Sequence, residues 1–139
     1  MCKKVWEWKL NSNGEDRRVI FHDHGGQETV MYTYLPFITD SDILMLLFMK
    51  KDVTTFNKVE NLIPRIKSFV SEKTKVMLVE TWIDQKVDEI PKGKIEQLID
   101  EGSATSCMYV SATDDIGVEE LVFDKRIRHG YIMNCNLNY

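Results

Sequence analysis

The sequence predicts one α/β domain in which a mostly parallel sheet is packed between helices, and three observations lead to this prediction. The chain has 139 residues, of which 43% are hydrophobic, so it can bury one core but is too short for two ordinary domains. Short apolar runs alternate along the chain with stretches of helical periodicity. The apolar runs are bounded by polar or turn-forming residues, which is typical of strands buried on both faces.

The chain opens on a predicted β-hairpin. Apolar and charged residues alternate over 5–10, V-W-E-W-K-L, and a second strand is predicted over 17–21. The segment between them, 11–16, consists of the turn formers N-S-N-G-E-D. The next element is the unbroken apolar run 43–49, which is bounded by Asp42 and by two lysines. We predict that this run is a buried strand.

Helices and strands alternate from there onward. Apolar residues recur at intervals of three and four over 56–70, which predicts an amphipathic helix that begins at Thr54 or Thr55. Two further strands are predicted, at 75–79 and 107–110. Two further helices are predicted, at 94–101 and 118–127. The tail over 128–139 lacks helical periodicity, and we expect it to be irregular.

Composition excludes several classes of function. The 18 Lys and Arg residues against 22 Asp and Glu give a net charge of -4, so no positive field would gather nucleic acid or anionic lipid. The longest apolar run is too short to span a bilayer, and the first residues do not form a signal peptide. The three cysteines are far apart, which indicates neither a disulfide framework nor a zinc site. We expect a soluble cytoplasmic protein.

Polar motifs follow three of the predicted strands, where binding residues collect in parallel α/β sheets. They are H-D-H-G-G-Q-E at 22–28, T-W-I-D-Q at 81–85 and S-A-T at 111–113. The runs I-P-K at 90–92 and G-V-E-E-L at 117–121 complete the series. In order and spacing these motifs resemble the switch II, base-recognition and Ser-Ala motifs of Ras-like small GTPases. They are most similar to those of the Roc domain of Roco proteins.

The resemblance covers residues 5–127 and implies a three-layer sandwich of the P-loop GTPase type, bound to GTP or GDP with Mg²⁺. On the phosphate side, Asp23 would hold the Mg²⁺ ion. The backbone N–H of Gly26 would meet the γ-phosphate, and Gln27 would orient the attacking water. Judged by residue type alone, Asp23 is also compatible with an ordinary turn cap and Gln27 with an ordinary loop residue.

On the base side, the resemblance makes Asp84 the carboxylate that accepts hydrogen bonds from guanine and thereby rejects adenine. Thr81 opens the same motif, and Ser111 would place the backbone N–H of Ala112 near the guanine oxygen. The alternative for Asp84 is a helix N-cap or a loop charge. A metal-dependent enzyme is a third hypothesis, since His22 and His24 flank an aspartate. Strand geometry argues against it, because alternate residues point to opposite faces of a sheet.

The sequence also departs from the family. It contains no G-x-x-x-x-G-K-[ST] loop and no switch I threonine. Trp82 stands where the family usually has lysine or histidine, and Thr113 replaces a lysine. The leading hypothesis is therefore a degenerate Roc-like domain, a pseudo-GTPase with weak or no GTP binding on its own that acts as an interaction or signalling module. The alternative is an active GTPase whose phosphate loop comes from upstream sequence or from another chain.

The same departure affects the fold. In the family the first strand lies at the centre of the sheet, between the strands that correspond to 17–21 and 43–49. A domain that lacks this strand and the first helix has two exposed apolar edges. We expect it to rearrange, to bind a protein partner or a second copy through those edges, or to be unstable. A split protein, a pseudo-GTPase, an incomplete gene model and a decayed gene copy all remain open.

Overall fold

The computed structural model describes residues 4–12, 15–25, 36, 38–85, 92–123 and 132–137. Six strands and three helices lie within these residues. The strands are β1 (Lys4–Ser12), β2 (Glu15–Gly25), β3 (Ile43–Met49), β4 (Lys75–Thr81), β5 (Ser106–Tyr109) and β6 (Ile132–Leu137). The helices are α1 (Val53–Phe69), α2 (Lys92–Asp100) and α3 (Val118–Phe123).

The six strands form one sheet with the order β1-β2-β6-β3-β4-β5. β1 and β2 pair antiparallel, which is the predicted hairpin. All other neighbours in the sheet pair in parallel. The prediction of an α/β fold with a mostly parallel sheet is therefore confirmed.

The C-terminal strand β6 lies between β2 and β3 and pairs with both. Ile132 is level with Ile20 of β2, and Met133 is level with Ile43 of β3. The expectation of an irregular tail over 128–139 is thus wrong for 132–137, and the two sheet edges that we expected to be exposed are both paired. Asparagine is unfavourable in strands, but hydrogen bonding on both sides overrides that local preference here.

The two faces of the sheet carry different parts of the core. On one face, Leu46 and Phe48 of β3 pack with buried residues of α1 and α2, and Phe48 meets Phe56 edge to face with 5.1 Å between ring centroids. On the other face, Met45 and Met77 pack against Leu121 of α3. The residues of β3 alternate between the two clusters, as expected for a strand buried on both sides. Helices thus cover both faces, in a three-layer arrangement.

The helix α1 begins at Val53 and is capped by Asp52, so the predicted start at Thr54 or Thr55 is corrected. The Asp52 carboxylate accepts hydrogen bonds from the backbone N–H of Thr54 at 2.9 Å and from its hydroxyl at 2.6 Å. These bonds lower the pKa of Asp52. Thr55 is instead buried, and its hydroxyl donates to the Asp52 carbonyl at 2.6 Å. Aspartate and threonine are both favoured at helix N-caps, and the sequence prediction placed the start one or two residues after Val53.

The boundaries of β5 and α2 lie close to the predictions. β5 begins one residue earlier than predicted and α2 two residues earlier. α3 is described as far as Phe123, and its predicted continuation over 124–127 lies outside the described residues. In the described part of the chain, no helix has the length and apolar character needed to cross a membrane.

Candidate functional site

Two loops meet at the carboxyl ends of β4 and β5, and a hydrogen bond joins them. The hydroxyl of Ser111 donates to Oδ1 of Asp84 over 2.8 Å. Ser111 is buried, while Asp84 is half-buried. These two residues are 27 positions apart in the chain. The structure therefore brings together the carboxylate and the serine that the sequence motifs singled out.

The second of these loops, 111–116, is closed by its own backbone. Ser111 and Ile116 exchange two N–H to carbonyl hydrogen bonds, at 2.9 and 3.0 Å. The N–H of Asp114 donates to the Ser111 hydroxyl at 3.2 Å. Ala112 follows Ser111 directly and is an exposed residue of the same loop. The loop fixes Ser111 in place, and Ser111 in turn fixes the Asp84 carboxylate.

Gly117 closes the loop in a conformation that other residues rarely adopt. Its φ is +70°, and a β-carbon there would collide with the carbonyl oxygen of Tyr109. We expect Gly117→Ala to lower the free energy of unfolding by about 1–2 kcal/mol for the left-handed backbone alone, and by more because of the collision. Chemical denaturation of the purified chain measures this change.

Gly102 provides the matched control. It has the same φ of +70°, but a β-carbon there meets nothing within 4 Å. Gly102→Ala should therefore lose only the contribution of the left-handed backbone. Equal losses in the two variants would show that the Tyr109 carbonyl does not restrict residue 117.

Hydrogen bonds keep the Asp84 carboxylate ionised. Bonds from the side chains of Gln85 and then of Ser111 lower the pKa of Asp84 below its ordinary value of 3.8, and the charge of Lys51 lowers it further. Nε2 of Gln85 lies 2.8 Å from Oδ2. At neutral pH this carboxylate is a negatively charged acceptor, held in one orientation and still open to solvent. Such an acceptor suits N–H donors of a ligand.

Thr81, at the end of β4, joins that strand to the end of β3 through two hydrogen bonds. Its hydroxyl donates to the carbonyl of Phe48 at 3.0 Å, and its own carbonyl accepts from the N–H of Lys50 at 2.9 Å. The hydroxyl thus bonds to the neighbouring strand. The structure shows this bracing contact for a residue that the resemblance assigns to nucleotide binding.

Trp82 follows Thr81 in a strained position. Its φ is +60°, which is unfavourable for a bulky side chain, and the residue is exposed. Nζ of Lys51 lies over the indole, 3.7 Å from the ring centroid. Sequence reasoning missed Lys51, which belongs to no motif and reads only as a charge that ends an apolar strand.

Of the three residues that the resemblance assigns to the phosphate side, the structure describes one, Asp23, and its position differs from the prediction. Asp23 does not close its strand as expected, because β2 continues to Gly25. In the sheet Asp23 is level with Cys135 of β6, and Cys135 is level with Met45 in the middle of β3. The predicted residues Gly26 and Gln27 lie outside the described residues.

A magnesium site is not supported by the residues that the structure describes. Among them there is no group of three His, Cys, Asp or Glu side chains that could hold a metal ion. The Mg²⁺ role of Asp23 therefore stays a prediction.

Cys107 does not have the properties of a nucleophilic cysteine. Burial raises the pKa of the Cys107 thiol to about 11, and burial also raises the pKa of Tyr109 to about 12. Cys107 is therefore protonated at neutral pH, whereas a reactive cysteine needs a lowered pKa. Cys107 packs against the core cluster, whereas Tyr109 is exposed.

A mostly parallel sheet between helices, with a carboxylate and a serine joined at its carboxyl edge, defines a GTPase-like α/β domain. The model of the Ras family matches residues 4–130, and the chain belongs to that family. Members of the family generally bind GTP or GDP with Mg²⁺. A search of curated proteins found no significant match. The matched residues end just before β6.

Proposed function

We propose that this chain is a degenerate, Roc-like GTPase domain that recognises the guanine base and does not hydrolyse GTP on its own. It acts as an interaction or signalling module. The observation that carries the proposal is the ionised carboxylate of Asp84, which Ser111 and Gln85 hold at the carboxyl edge of the sheet. Guanine offers two adjacent N–H donors, and adenine does not present that pair.

The geometry of the base side supports guanine as the ligand. Asp84 is oriented by two hydrogen bonds before any ligand arrives, so little order has to be gained on binding. The surface loop that carries Ala112 starts directly beside it, where a backbone N–H could meet a carbonyl oxygen of the base. The positive charge of Lys51 acts on the same carboxylate.

The phosphate side supports the loss of hydrolysis. The printed sequence contains no G-x-x-x-x-G-K-[ST] run, which in the family cradles the phosphates through backbone N–H groups and a lysine. The central position of the sheet, from which that loop departs in the family, is taken by β6. A phosphate loop supplied from elsewhere with its own strand would have to displace β6. This requirement weighs against the alternative of an active GTPase completed in trans.

The test is a comparison of ligands that share a base but differ in phosphates. We expect guanosine, GDP and GTP with Mg²⁺ to bind the full chain with similar, weak affinities, and adenosine to bind more weakly. Asp84→Asn should weaken guanosine binding about ten- to a hundredfold and remove the preference over adenosine, because hydrogen bonds to a charged acceptor are lost. Ligand-observed NMR titration measures these weak affinities.

Asp115→Asn is the matched control for that substitution. It removes the same charge from the neighbouring loop, and asparagine tolerates the left-handed φ of +54° found there. Its guanosine affinity should equal that of the wild type. A large preference for GTP over guanosine that depends on Asp23, or measurable GTP turnover by the chain alone, would contradict the proposal.

A further inference from the structure

Lys51 and Trp82 form a contact that the proposed function does not yet use. The ammonium lies 3.7 Å from the centroid of the indole ring, which is within the range of a cation–π interaction. With Lys51 over its ring, Trp82 as a whole residue is still 37% exposed. Burial in the core therefore does not account for this exposed, strained tryptophan.

The backbone on both sides of this contact is fixed. The N–H of Lys50, which precedes Lys51, donates to the carbonyl of Thr81, which precedes Trp82. One hydrogen bond therefore joins the two loops where they begin. The residue after Lys51, Asp52, caps α1 and donates its N–H to Met49 at 3.1 Å. At the far end of the Trp82 loop, the N–H of Gln85 donates to the Trp82 carbonyl at 3.1 Å.

The backbone conformation of Trp82 is also strained, as is common at ligand sites. Only Trp82 and Asp115 have positive φ among the described residues other than glycine, and they lie in the two loops that the Asp84–Ser111 bond joins. Strained residues persist where the surrounding structure holds them, and they concentrate at ligand sites. Trp82 lies in the same four-residue turn as Asp84, closed by the bond from the Gln85 N–H to the Trp82 carbonyl.

We propose that Trp82 is a stacking surface for a planar heterocycle and that Lys51 positions the indole by holding its other face. The identity of that heterocycle as guanine rests on the proposed function. Stacking and carboxylate recognition are complementary, because a stacked ring needs an in-plane acceptor to select one base. Lys51 thus brings a positive charge to this turn from a different loop.

The experiment is ligand-observed NMR titration of the full chain with guanosine, which has no phosphate to attract Lys51 directly. Trp82→Leu should weaken binding about five- to a hundredfold, and Trp82→Phe much less, because only phenylalanine keeps an aromatic face. Lys51→Met should weaken binding about two- to fivefold, and Lys51→Arg should restore it. Lys73→Met, which removes an exposed lysine from the turn before β4, is the matched control and should change nothing.

The ligand series separates this inference from the proposed function. If guanosine binds through Asp84 but Trp82→Leu leaves its affinity unchanged, the stacking proposal is overturned and the proposed function stands. If guanosine and adenosine bind equally well and both depend on Trp82, stacking is supported and guanine recognition fails. Absence of saturable binding by either nucleoside would overturn both. Loss of binding in Lys51→Arg as well as in Lys51→Met would refute the role of the cation.

Discussion

Deletion of residues 132–139 is expected to detach the β1–β2 hairpin and to abolish cooperative unfolding of the domain. β2 and β3 do not pair with each other, and β6 provides the ladder that links the hairpin to the remaining strands. A two-stranded hairpin is marginally stable in water by itself. Hydrogen exchange should show protection lost throughout 4–25, and thermal unfolding should lose its single transition.

A point substitution tests the same strand without shortening the chain. Asn134 is level with His22 on one side and Leu44 on the other. Asn134→Pro removes a backbone N–H from the centre of the sheet and should lower the free energy of unfolding by about 3 kcal/mol or more. Asn134→Thr keeps that N–H and is the matched control. Protection of 4–25 that survives the deletion would contradict the central role of β6.

Phe48→Ala is expected to have the largest effect of any single core substitution, lowering the free energy of unfolding by about 3–5 kcal/mol. Phe48 is fully buried, and its ring meets the equally buried Phe56 edge to face. Truncation leaves a cavity beneath β3 and also removes the aromatic contact between the sheet and α1. Denaturant titration with far-UV circular dichroism measures the loss.

Phe69→Ala is the matched control for this variant. Phe69 is the last residue of α1 and is 45% exposed, so its removal should change the free energy of unfolding by no more than about 0.5 kcal/mol. A loss in Phe48→Ala as small as that in Phe69→Ala would mean that the core repacks around the missing ring.

Much of the site could be predicted because parallel topology makes distant motifs meet. Asp84 and Ser111 each follow a predicted strand, and parallel neighbours bring their carboxyl ends to one edge. The sequence thus placed both residues at one edge of the sheet, but the hydrogen bond between them, across 27 positions of the chain, was not predicted. The buried strand 43–49 and the helix that covers it were likewise evident from their apolar patterns.

The features that escaped prediction depend on tertiary contacts without a local pattern. Lys51 is an exposed lysine after an apolar strand, and only the loop geometry brings it to Trp82. β6 contains two asparagines, whose local preference is for turns, although Met133, Cys135 and Leu137 alternate with them in a period of two. Asp23 was expected to end its strand, but pairing with β6 extends β2 to Gly25.

The position of β6 also has a consequence for how the chain folds during synthesis. β6 follows every other described strand in the chain, yet it lies at the centre of the sheet. The ribosome therefore synthesises β2 and β3 long before β6, the strand that joins them. Until β6 is synthesised, the backbone N–H and C=O groups on the facing edges of β2 and β3 stay unpaired. Pairing residues from opposite ends of the chain gives a high contact order, which slows folding. We expect chaperones that shield open strands to be needed most in the interval between the synthesis of β3 and that of β6.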